Sequence, residues 1–157
     1  MPILVFETFI ATDPARCFDL ARDIGLHCRT CAWTREEAVA GVTNGLIGMG
    51  QSVTFEANHL GLRRRLTSRI VAFEPPRMFV DQMQSGAFAS LRHLHEFEPV
   101  EPAEGAPAGT LMRDTLAWTS PLGILGRIAD ALIVERHMAR FLARRNASLK
   151  AFAERMD

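Results

Sequence analysis

Residues 110–119 read TLMRDTLAWT and residues 121–156 read PLGILGRIADALIVERHMARFLARRNASLKAFAERM. The change of period between the two stretches decides the fold. In the first, side chains alternate, so Thr110, Met112, Asp114, Leu116 and Trp118 share one face of a strand. In the second, Ile128, Leu132, Met138, Leu142, Leu149 and Phe152 recur at helical spacing. Arg136, Arg140, Arg144 and Arg145 are assigned to the solvent side of that helix. At ~1.5 Å per residue the predicted helix, 122–156, is roughly 50 Å long and must lie across most of a domain.

Working back from that helix, strands are predicted over 88–98, 77–84, 62–73, 51–59 and, weakly, 33–40. Pro75-Pro76, Ser85-Gly86 and Gly61 mark turns, and a loop rich in Pro, Gly and Ala covers 99–109. Residues 41–50 (GVTNGLIGMG) are a glycine-rich connection. They lack the Gly-Lys-Ser/Thr ending of a phosphate loop and lead into a strand, so they are read as a flexible link. The N-terminal residues 3–11 form a first strand, followed by a helix near 14–24 and a short helical turn at 26–31. Thr12-Asp13-Pro14 supplies the cap and the helix-starting proline. The expected fold class is α+β, one domain over 1–157: a seven-stranded antiparallel sheet wrapped around a long C-terminal helix, with two short helices after strand 1. A bent sheet gripping one helix leaves a space between them, which is a natural ligand site.

The 18 basic and 18 acidic residues cancel, which argues against an electrostatically driven nucleic-acid binder. No apolar run approaches the ~20 residues of a membrane helix. The N-terminus lacks a basic leader, and Glu7 interrupts its apolar stretch, so a cytoplasmic location is expected. Cys17, Cys28 and Cys31 are the wrong number for a disulfide framework. His27-Cys28-Arg29-Thr30-Cys31 contains one cysteine pair without the second pair a structural zinc site needs, so no metal and no cofactor are expected.

Five local patterns, in this order, resemble one superfamily: Glu37-Ala-Val-Ala-Gly41, Phe79-Val-Asp81, His93-Leu-His95-Glu-Phe97, Gly109-Thr-Leu-Met-Arg-Asp114 and Pro121-Leu-Gly-Ile-Leu-Gly126. They resemble the START/polyketide-cyclase (SRPBCC) group, whose helix-grip fold is that of the birch pollen allergen, and within it a cyclase-like bacterial branch. The resemblance covers about residues 3–156. It implies a cavity for lipids, polyketides or other apolar compounds, bordered by the 41–50 loop, and no single activity, because the fold hosts transporters, cyclases, sensors and hydrolases. Met83 stands where the branch carries glutamine, which implies a more apolar wall there.

Alternation assigns the residues that face this cavity. Leu91, His93, His95 and Phe97 share one face, as do Phe79, Asp81 and Met83, and Phe55 with His59. Met112, Asp114, Leu116 and Trp118 join them from the last strand, and Leu132 and Met138 from the helix. If Phe97 lies opposite Thr110, His93 meets Asp114; a two-residue slip puts His95 there instead. His59 is placed at the core or rim. Arg63 and Arg65 are expected in solvent, and the facing of Arg64 is open because a bulge near Gly61 swaps faces. The expected partner is a small hydrophobic molecule, with no nucleic acid and no membrane span; oligomeric state is not legible. The leading expectation is carriage of that molecule, and the alternative is a cyclase- or dehydratase-type enzyme using a His–Asp pair.

Overall fold

The computed structural model describes residues 1–155. One sheet contains β1 (Ile3–Ile10), β2 (Glu37–Gly41), β3 (Ser52–His59), β4 (Leu62–Glu74), β5 (Met78–Ser85), β6 (Ser90–Val100) and β7 (Gly109–Thr119). Its strand order is β1-β7-β6-β5-β4-β3-β2, antiparallel throughout. After β1 come α1 (Pro14–Ala21) and α2 (Ile24–Thr30), and after β7 come α3 (Gly123–Ala129) and α4 (Glu135–Arg155). The expected architecture is therefore present, and the last residue of the predicted helix, 156, lies outside the described residues.

Local chemistry explains the elements. The Asp13 and Asp23 side chains accept from Arg16 N and Leu26 N at 3.0 Å, capping α1 and α2. Helices this short are marginal alone. They are held by burying Cys17, Phe18, Ala21, Ile24 and Leu26. Phe18 packs its ring against Phe73, Phe79 and Phe97, with centroids 5.3–5.6 Å apart, and so ties α1 to the inner face of the sheet. The β3–β4 hairpin closes on Leu60-Gly61, both at positive φ (51° and 76°), the geometry a two-residue hairpin turn requires.

Two expectations needed correction. Part of the strand predicted over 33–40 is a 3-10 turn, Ala32–Thr34, because Arg35 adopts a left-handed conformation (φ 52°) and pairing begins only at Glu37. The C-terminal helix is not one regular α-helix. A π-helical turn, Asp130–Val134, separates α3 from α4. Its wider spacing breaks the 3.6-residue register, so the apolar stripe cannot run straight through it. Leu132 and Ile128 are 71% and 51% exposed, whereas Leu142 and Leu149 are buried. Among the described residues, no helix is long and apolar enough to cross a membrane.

Candidate functional site

Strand register builds the central cluster. His95 lies opposite Asp114 on β7 and opposite Phe79 on β5, while His93 lies opposite Asp81. Phe97 faces Met112 and not Thr110, so the slipped alternative is the register adopted. Because β6 alternates, both imidazoles project from the same inner face, with ring centroids 3.8 Å apart. His93 Nε2 sits 2.9 Å from Asp114 Oδ1, and His95 Nε2 sits 2.9 Å from Asp81 Oδ2. His95 Nδ1 is 2.8 Å from Asp114 Oδ1 but is not aligned for a hydrogen bond, so that contact is electrostatic. Ser68 Oγ donates to Asp81 Oδ1 (3.2 Å).

The helix completes the cluster from the other side. Asn146 Nδ2 donates to Asp114 Oδ2 at 2.7 Å, and Arg145 Nη1 donates to Asn146 Oδ1 at 3.1 Å while lying 3.6 Å from Asp114 Oδ1. Asp114 is wholly buried and Arg145 is 3% exposed. A buried carboxylate persists only with such partners. Burial works against ionising Asp114, yet both histidines hold it ionised, well below the usual carboxylate range. The same opposition, won by the His95 hydrogen bond and the His93 charge, brings Asp81 down to about 2. The imidazoles part company: burial and the charge of His95 lower His93, whereas the two carboxylates outweigh burial and raise His95.

A second polar cluster stands on the wall formed by α2. His27 and Cys31 are one helical turn apart, and left-handed Arg35 turns Glu36 back toward them. His27 Nε2 lies 2.5 Å from Glu36 Oε1 and 4.0 Å from Cys31 Sγ. Burial alone would lower His27, but Glu36 and Cys31 raise it to about 10, and His27 in turn lowers Glu36. His59 reaches from β3 to α4, its Nδ1 3.0 Å from His137 Nε2 and its ring edge-on to Phe141.

Between these groups lies a cavity of about 430 Å³. Its walls include Phe55, His59, Phe79, Asp81, Leu91, His93, His95, Leu116 and Met138, all singled out from the sequence. The other six lie elsewhere. Phe97 and Met112 are packed in the core beside Phe18. Trp118 is buried and donates from Nε1 to Asp130 Oδ1 (3.0 Å). Asp114 is behind the two histidines, Met83 packs beside the cluster of Leu91 and Trp118, and Leu132 faces solvent because of the π turn. Arg64 is on the cavity side, near the hairpin tip; Arg63 and Arg65 pair with Glu56, and the mostly exposed Arg65 also borders the cavity.

Sequence reasoning misses Arg145, Asn146, His27 and Glu36. It assigns Arg145 to solvent with the other helix arginines, and the structure overturns this: Arg145 faces the cavity and Asp114. The signal is present, since 142, 145, 146, 149 and 153 continue one helical stripe and all five are buried.

No family model matches the chain, and no curated protein is significantly similar to it. Solved structures are similar along its whole length. A protein of Thermus thermophilus has 19% identity over 96% of this chain and 95% of its own, with a TM-score of 0.74. A START superfamily protein from Mycobacterium smegmatis has 12% identity over 99% of both chains and a TM-score of 0.73. Major latex-like protein 151 of Panax ginseng has 12% identity over 97% of both chains and a TM-score of 0.68. At these identities the likeness is one of fold, and it agrees with the element order and the register above: the chain has the helix-grip fold of the START and latex-like proteins.

Proposed function

We propose that the protein binds one small, largely apolar molecule, a lipid, polyketide or aromatic compound, in the cavity between the sheet and α4. The observation that carries this reading is the cavity itself. Its 430 Å³ falls within the roughly 300–1,000 Å³ of small-molecule sites. Phe55, Phe79, Leu91, Leu116, Met138 and Phe141 supply apolar wall, and the polar groups gather at the histidine pair. Such a division suits a ligand with an apolar body and one carbonyl or hydroxyl directed at His93. Three free thiols fit a reducing cytoplasm as the setting.

Native mass spectrometry of protein purified from its own cells, with extraction of the bound compound, tests the reading. A defined apolar compound is expected, and His93→Ala is expected to weaken its binding about tenfold, the worth of one net hydrogen bond to a ring nitrogen. Unchanged affinity in His93→Ala removes His93 as the polar contact. One observation favours an enzymatic reading as well: the neighbouring imidazoles are pushed in opposite directions, one toward the neutral form and one toward the charged form. Groups divided in this way can act as base and acid. Turnover of the extracted compound that vanishes in both His93→Ala and His95→Ala distinguishes enzyme from carrier.

A further inference from the structure

We propose that Asp81, His93 and His95 form a binding site for a divalent first-row transition cation such as Zn2+, Co2+ or Fe2+. The donors are Asp81 Oδ2, His93 Nδ1 and His95 Nε2. The inference does not rest on the cavity's holding an apolar ligand.

The geometry follows from the sheet. His93 and His95 are two residues apart on one strand, so their rings leave the same face. Asp81 lies directly across from His93 on the neighbouring strand. The three donor atoms lie within 4.8 Å of one another, with Asp81 Oδ2 2.9 Å from His95 Nε2 and 3.9 Å from His93 Nδ1. Metal–ligand bonds of about 2.0–2.2 Å place neighbouring donors roughly 3–3.5 Å apart, and the 2.9 and 3.9 Å separations from Asp81 Oδ2 lie close to that range. Two imidazoles and one carboxylate on one side of a cation leave its other positions directed into the cavity, which all three residues line.

What lies behind the histidines strengthens the case. Each ring turns one nitrogen toward Asp81 and the other toward Asp114: His93 Nε2 at 2.9 Å and His95 Nδ1 at 2.8 Å. For His93 this is a hydrogen bond, the arrangement that fixes the tautomer of a metal-ligating histidine; for His95 the contact with Asp114 is electrostatic. Asp114 is itself held by Asn146 and Arg145, and the second oxygen of Asp81 by Ser68, which leaves Asp81 Oδ2 for the cation. Charge agrees. Two carboxylate side chains and one arginine surround the histidine pair, a setting that suits a bound cation. The His27–Cys31–Glu36 group on α2 is a weaker candidate. It offers one imidazole where the Asp81–His93–His95 group offers two.

Full-length protein freed of metal by a chelator is titrated with Co2+, read by visible absorption, with Zn2+ as competitor. The expected result is about one Co2+ per chain, displaced by Zn2+, without a thiolate-to-metal band. Cys31→Ser is expected to bind equally well, Asp81→Asn and His93→Gln not at all, and Asp114→Asn roughly 10- to 100-fold more weakly. Circular dichroism checks the variants' folding. X-ray absorption on the Co2+-loaded wild type counts imidazole ligands directly, so the answer survives a variant that fails to fold. Two imidazoles support the site. No saturable Co2+ binding, full binding in Asp81→Asn, or a thiolate band lost in Cys31→Ser overturns it. Binding of an apolar fluorescent dye to the metal-free protein reports separately on the cavity.

Discussion

Residues 135–155 and residues 123–134 belong to one helical run, yet they invert each other's chemistry. The later part, α4, buries an arginine and an asparagine among its apolar contacts. The earlier part buries only Gly126 and Asp130, while Ile124, Leu125 and Leu132, and Leu122 just before it, are each more than 70% exposed. Position explains this better than composition. The α4 face meets the inner sheet, where Asp114 requires donors, so Arg145 and Asn146 turn inward. The α3 segment lies beyond the end of β7 and is fastened at few points. Asp130 accepts from Trp118 Nε1 and from Ser120 Oγ, and a Cβ on Gly126 would stand 2.0 Å from the Pro121 carbonyl. A helix face is assigned by what it meets, not by its average polarity.

The sharpest test of that contrast removes the buried cation. Arg145→Met leaves Asp114 and Glu36 with only their histidine and Asn146 partners, and removing one member of a buried charge network costs about 3–5 kcal/mol. A fall in Tm of roughly 10 °C is expected from thermal unfolding. A change under about 1 kcal/mol would mean that water already solvates these carboxylates through the cavity. Leu149→Ala comes next, at about 3 kcal/mol by denaturant unfolding, because it deletes a core side chain against which α1 and the sheet pack.

A smaller effect comes from pH. His27 titrates near 10 when folded, above its ordinary 6.5, so its contribution is complete below pH 6.5 and fades as pH rises toward 10. A loss of about 2 kcal/mol across that window is expected, since the ring keeps some exposure to the cavity. Asp81 and Asp114 act in the opposite sense. Both are lowered, so their contribution is present above pH 3.8 and fades as pH falls through about 2 for Asp81. His27→Gln should flatten the alkaline limb and, because His27 is what lowers Glu36, also remove Glu36's share of the acid limb while leaving that of Asp81 and Asp114. An unchanged alkaline limb would assign that loss to another group.

Much of this is legible in the amino-acid order alone. Alternation along β6 and β7 assigns every inner-facing residue, because period two admits only two choices and the apolar face must be buried. Which histidine opposes Asp114 is not legible, since the offset depends on how the loop at 101–108 closes the hairpin, and alternation is blind to a slip of two. In the folded chain both histidines reach Asp114. Arg145 escapes a reading in which charge means solvent, although its position continues the buried stripe. Leu132 escapes because a π turn leaves no signature in hydrophobic spacing. Glu36 depends on a left-handed arginine, a conformation that no residue preference would suggest.

The exposed apolar run provides the gentlest test and the one that bears on its own meaning. Leu125 and Leu132 are both 71% exposed, so Leu125→Ser with Leu132→Ser should alter unfolding free energy by no more than about 0.5 kcal/mol, as surface changes do. Leu60 and Leu62 of the hairpin are also more than half exposed and line the cavity together with Leu122. The apolar surface therefore continues inward from the run, and an apolar dye should report the double substitution even where stability does not. Reduced dye binding at unchanged Tm would establish that the run is free surface joined to the cavity. A loss of about 2 kcal/mol or more, the size of a core deletion, would show it packed in solution, against a second copy or its own sheet. The two parts of the helical run would then obey one rule, and the contrast between them would disappear.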